Sequence, residues 1–220
     1  QGAQGWRPLG VATAERGPGA DAVTAGDVDH DGWPDVVTGS IEFGRRDLLY
    51  PADASPVVRR RVVPGLPDTS LVQDVVLADL DGDGSDELVA ASQSRDTAGW
   101  YARADVIDAR PDATTPPRTL AVRDGRIGFT AIAAGDLDGD GARDLVVVSG
   151  DGVTLLLRGD ARGGFTRMPG PGSPFGTCAG SHVVLADLDG DRRDELIVSY
   201  AQEADSCPSG GGLAAWRLNH

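Results

Sequence analysis

Lysine is missing from this 220-residue chain. All 20 basic residues are arginine, which removes Schiff-base lysine chemistry and the lysine-dependent P-loop from consideration. Histidine is scarce: His30 stands in an acidic stretch, His182 opens a predicted strand and His220 is terminal, so no two have zinc-ligand spacing. Ser181 lacks a GxSxG setting and an evident base. Cysteine is limited to Cys178 and Cys207, a pair that suits an oxidising compartment if the two are bonded. No apolar run is long enough to span a bilayer. Helical periodicity is absent, and no linker or low-complexity tail divides the chain. No signal-peptide pattern is present, and the start Gln1-Gly-Ala-Gln reads as that of a mature or trimmed product.

What the chain has in excess is aspartate at fixed intervals. Asp27, Asp29, Asp31 and Asp35 return as Asp79, Asp81, Asp83 and Glu87, as Asp136, Asp138, Asp140 and Asp144, and as Asp187, Asp189, Asp191 and Glu195. Each set occupies positions 1, 3, 5 and 9 of a loop, and the loops recur at a period of about 55 residues, so each belongs to one structural repeat. Four like charges in nine residues repel one another unless a cation is present, and hard oxygens at this spacing suit Ca²⁺. The formal net charge of −14 is therefore largely metal-binding capacity: four Ca²⁺ ions would bring it to about −6. The remaining negative charge makes DNA and anionic lipid unfavourable partners.

An EF-hand is excluded, because loop position 12 is Thr38, Ala90, Val147 or Val198 rather than a bidentate Glu. Each loop follows one short apolar run and enters another, the second rich in β-branched residues, which places the ion in a turn between adjacent strands. With 31 Gly and 14 Pro punctuating short runs, the chain reads as all-β.

On these loops and their flanking strands the sequence resembles the FG-GAP (integrin-α-like, VCBS) repeat family of calcium-binding β-propellers, and the resemblance spans the whole chain. It implies a four-bladed propeller in one domain, with a Ca²⁺ loop between the first two strands of each blade. The blades are expected at about 20–63, 71–122, 128–168 and 180–218, the last completed by an N-terminal strand at 5–10. A dimer closing an eight-bladed ring is the alternative to a monomeric ring. The resemblance adds backbone carbonyls at loop position 7, from Trp33, Ser85, Ala142 and Arg193, to the ligand set. It also puts Cys178 and Cys207 on the face away from calcium, where a disulfide between them is expected. Arg192 stands where the other loops have Gly32, Gly84 and Gly141, which makes the fourth site the weakest expected.

Calcium loops of this kind fill where calcium is plentiful, so secretion or display at a cell surface is expected. The functional expectation is a binding module for a protein or carbohydrate, with Phe43, Arg45, Arg46, Trp100 and Tyr101 as the recognition residues on the face away from calcium. Two readings stand beside it. One is an enzyme (lyase, hydrolase or cyclase) acting at the channel mouth around Asp74 and His182. The other is a structural domain of a surface assembly.

Overall fold

A computed structural model describes residues 21–41, 48–50, 61–63, 70–110, 113–125, 127–176, 178–201, 207 and 210–219. They form four antiparallel sheets, each a simple up-and-down meander. The first is β1 (Ala22–Gly26), β2 (Asp35–Gly39), β3 (Leu48–Tyr50) and β4 (Arg61–Val62). The second is β5 (Leu71–Ala78), β6 (Glu87–Arg95), β7 (Trp100–Ile107) and β8 (Arg118–Asp124). The third is β9 (Phe129–Gly135), β10 (Asp144–Ser149), β11 (Thr154–Gly159) and β12 (Phe165–Pro169). The last has three described strands, β13 (Ala179–Ala186), β14 (Glu195–Ala201) and β15 (Gly212–Trp216). Among the described residues there is no helix long and apolar enough to cross a membrane. The expected strand at 5–10 and the candidates Phe43, Arg45 and Arg46 lie outside the described residues.

The sheets are stacked face to face, with the inner strands β1, β5, β9 and β13 adjacent in chain order. Stacking explains the composition of the second strands: β10 is buried at every residue of Asp-Leu-Val-Val-Val-Ser because sheets cover it on both faces, and a doubly covered strand reads as a continuous apolar run. One apolar layer joins Ala22, Val28 and Val37 of the first repeat to Val72, Val75 and Leu88 of the second. Another joins Leu80, Val89 and Val106 to Ile132, Leu145 and Val147. A third joins Leu137, Val146 and Leu156 to Leu196, Val198 and Tyr200.

Three inner strands carry a register shift at the same repeat position, near Gln73, Thr130 and Ser181. The extra residue of such a bulge turns its side chain out of the ladder. Thr130 Oγ1 uses this freedom to donate to the carbonyl of Gly180 at 2.6 Å, tying β9 to β13. Cys178 and Cys207 are bonded to each other and buried in the third apolar layer. Their bond links the approach to β13 with the connection after β14.

Candidate metal centres

Each acidic loop links the first strand of a sheet to the second, and the chain turns there by the same device four times. The carboxylate at position 1 accepts two backbone N–H groups of the turn, one per oxygen. Asp79 takes those of Gly82 and Gly84, Asp136 those of Gly139 and Gly141, and Asp187 those of Gly190 and Arg192. Asp27 takes those of Asp31 and Gly32. The turn needs left-handed backbone at positions 4 and 6, which glycine supplies without strain. Two loops break that rule, with His30 at φ 58° and Arg192 at φ 72°.

The carboxylate at position 9 opens the second strand and reaches back over the loop. One of its oxygens accepts the N–H of position 2 at 2.9 Å in all four repeats, from Val28 to Asp35, Leu80 to Glu87, Leu137 to Asp144 and Leu188 to Glu195. This brings positions 1, 3 and 9 together. Asp27, Asp29 and Asp35 each offer an oxygen within 4.8 Å of the others, and so do Asp79, Asp81 and Glu87, Asp136, Asp138 and Asp144, and Asp187, Asp189 and Glu195. The position 5 residues, Asp31, Asp83, Asp140 and Asp191, are not in those groups. Each accepts the N–H of its position 7 neighbour instead, Trp33, Ser85, Ala142 or Arg193.

The electrostatics of these clusters fit a divalent cation. Glu87 is pushed up to about 7, first by burial and then by the charges of Asp81, Asp83 and Asp79, against the N–H of Leu80 that favours its ionised form. Asp144 is raised for the same reasons, with Asp138 and Asp140 as the neighbours. Carboxylates whose ionised form is disfavoured chiefly by burial, and further by like-charged neighbours, are groups whose charge a hard cation would stabilise. Arginines approach the last three loops: Arg110 pairs with Asp83 at 3.5 Å, Arg158 with Asp138 and Asp140, and Arg217 with Asp189 and Glu195. Where Ca²⁺ enters, the oxygens of positions 1, 3 and 9 are the residues that would hold it, and the ion would supply charge neutralisation and strand bracing.

Two further acids, invisible as ligands, brace one loop against the next sheet. Asp86 accepts the N–H of Asp27 at 2.8 Å and donates its own N–H to the Asp27 carbonyl. Asp194 does the same with Asp136. A Cβ at Gly26 or Gly135 would collide with these carboxylates, so glycine before the loop and aspartate at position 8 of the next loop go together. That covariation between repeats is the signal sequence reading had available and did not use.

Trp100 and Tyr101 start β7 at the end of the second sheet away from its acidic loop, both half-buried. They line a groove of about 590 Å³ with Asp96, Val122 and Asp124, and Arg95 stacks over the Trp100 ring at 5.8 Å. Asp74 is occupied structurally: its oxygens accept the N–H groups of Val75 and, across the sheet junction, Ile132. Burial raises its pKa and those two bonds oppose the rise. His182 is exposed in β13. Phe175 packs on Tyr200 with ring centroids 5.5 Å apart, inside the third apolar layer.

A comparison with curated proteins returns no match. The pattern of the FG-GAP-like repeat matches residues 79–147 and again 136–198, two overlapping spans that each start at an acidic loop and end in the second strand of the following sheet. Together they cover more than half of the chain, which belongs to the FG-GAP-like repeat family.

Proposed function

We propose that the chain is a calcium-stabilised β-propeller module, secreted or displayed at a cell surface, that binds a protein or a glycan. FG-GAP repeats are generally protein-interaction modules, and the disulfide Cys178–Cys207 suits an oxidising environment. The observation that carries the calcium reading is the fourfold convergence of position 1, 3 and 9 oxygens on one point per loop. In this reading the four sheets are successive blades of a propeller. Recognition falls on the face away from the acidic loops, where the Trp100 and Tyr101 groove joins an aromatic floor to charged rims.

Calorimetric melting with and without calcium tests the first half. With affinities in the range of extracellular modules, each filled site adds roughly 0.6 to 1.8 kcal/mol through linkage. A melting temperature unchanged by chelator refutes it. Glycan-array and protein-binding screens test the second half, with Trp100→Ala and Tyr101→Ala expected to weaken any ligand found by about tenfold or more. Unaltered binding by both variants places recognition elsewhere.

A further inference from the structure

The four repeats differ sharply at the positions that touch a neighbouring sheet. The second residue of the acidic loop faces the following sheet, and it is 1% exposed as Val28, 2% as Leu80 and 5% as Leu137, yet 62% exposed as Leu188. Leu213 of β15 is 69% exposed where its counterparts Ala104 and Thr154 are buried. The opposite face shows the mirror pattern. Val75 and Ile132 are buried against the preceding sheet while their counterpart Val23 is 67% exposed. Leu88, Leu145 and Leu196 are buried where Val36 is 36% exposed. Among the described residues, one kind of apolar junction is thus built three times and its two halves are exposed at either end. Among the described residues no apolar layer joins the fourth sheet to the first, and β13 does not pack on β1 as the other inner strands pack on their neighbours.

We propose that the bare face of the fourth sheet, around Val184, Leu188 and Leu213, docks on the bare face of the first sheet, around Val23 and Val36, of a second copy of this chain. The second copy's fourth sheet closes on the first in the same way, giving a two-fold ring of eight sheets. Clustered exposed apolar side chains on one face mark an interaction surface, and in the three internal junctions the equivalent side chains are covered by a neighbouring sheet of the same kind.

The pairing at the loop ends agrees. Where glycine precedes a loop, the next sheet offers an aspartate clamp, as Gly26 meets Asp86 and Gly135 meets Asp194. Where alanine precedes it, as at Ala78, the next sheet has Arg143 in that place. Ala186 before the fourth loop calls for a sheet without the clamp, and the first sheet has Pro34 there, with no N–H to donate. Head-to-tail contacts form a closed assembly only when their rotation closes. Two copies reach eight blades, the upper end of the usual range, and three would exceed it. The inference rests on reading the sheets as propeller blades, but not on calcium or on the ligand groove.

Light scattering after gel filtration, in calcium and in chelator, tests it. The wild-type chain is expected at twice 22.7 kDa. Leu213→Glu and Val23→Glu are each expected to halve that mass without lowering the melting temperature of the single chain, since both side chains lie on open faces away from the acidic loops. An equimolar mixture of the two variants is expected to regain the double mass, because one of its two junctions keeps both native faces. A wild-type mass of one chain, whether through closure on itself or cover by residues 1–20, overturns the proposal. So does a double mass retained by either variant, or a mixture that stays single.

Discussion

Replacing Arg192 with glycine separates two effects that the fourth loop combines. Arg192 holds φ 72°, and its N–H donates to Asp187 at 2.9 Å, a bond that any residue there would keep. A left-handed backbone costs a non-glycine residue roughly 1–2 kcal/mol. Glycine's greater freedom in the unfolded chain offsets about 0.5–1 kcal/mol of the relief. The net gain is about 0.5–1 kcal/mol, or about 1–4 °C in melting temperature for a chain of this size. The strain is present with or without metal, so this gain is expected in excess chelator. The second effect is electrostatic: removing an exposed positive charge beside Asp187, Asp189 and Glu195 favours Ca²⁺ at that loop. Being screened, that preference shrinks at high salt, whereas the strain relief does not. Scanning calorimetry in chelator reads the first effect, and calcium titration at low and high salt reads the second. His30→Gly is the control, since His30 is also left-handed but its Nδ1 bonds the carbonyl of Gly84, so relief there is opposed by a lost bridge between the first two loops. A melting temperature in chelator that stays level or falls in Arg192→Gly refutes the strain argument, and a calcium affinity that is the same at low salt refutes the electrostatic one.

Proton release should accompany calcium binding near neutral pH. Glu87 is pushed up to about 7 in the metal-free fold from an ordinary 4.5, so between those values the folded chain holds a proton the unfolded chain has lost. Metal-free stability therefore falls as pH rises through that window, and calcium binding at pH 6.5 should show an enthalpy that depends on the buffer's ionisation heat. Buffer-independent heats, with melting that does not decline from pH 5 to pH 7.5 in chelator, would contradict the assignment. Reducing Cys178–Cys207, which spans 29 residues, is expected to destabilise the fold by about 3 kcal/mol. Melting in reductant that matches melting in oxidant would show that the third apolar layer holds those segments without the bond.

Local chemistry was legible in the sequence, and relations between repeats were less so. Carboxylates spaced 1, 3, 5 and 9 around a glycine turn identify the loops because the spacing is itself the geometry, and the apolar runs on either side carry their strand character in the residue types. Position 5 is less legible because a loop aspartate has two uses that do not exclude each other. The same side chain that suits a cation also accepts an N–H two residues on, and Asp31, Asp83, Asp140 and Asp191 do so here. Nothing in their own repeat explains Asp86 and Asp194. Their reason lies one repeat earlier, in Gly26 and Gly135.

The end faces mark a sharper limit on what periodicity can show. Val36 and Leu145 occupy the same place in their repeats, and each reads as a core residue. One is buried and the other is not, because burial depends on whether a neighbouring sheet is there to receive the side chain. An apolar pattern therefore records the junction a strand is built to make. Four repeats built for eight half-junctions satisfy six of them internally, and the two left over are complementary in shape of sequence, Leu188 and Ala186 on one side, Val36 and Pro34 on the other. A protein that kept these faces wet would gain nothing from leucine at position 188. Exposed leucine there, in a molecule that buries the equivalent residue three times, is the reason to look for the partner sheet in a second copy before looking for it in a foreign ligand.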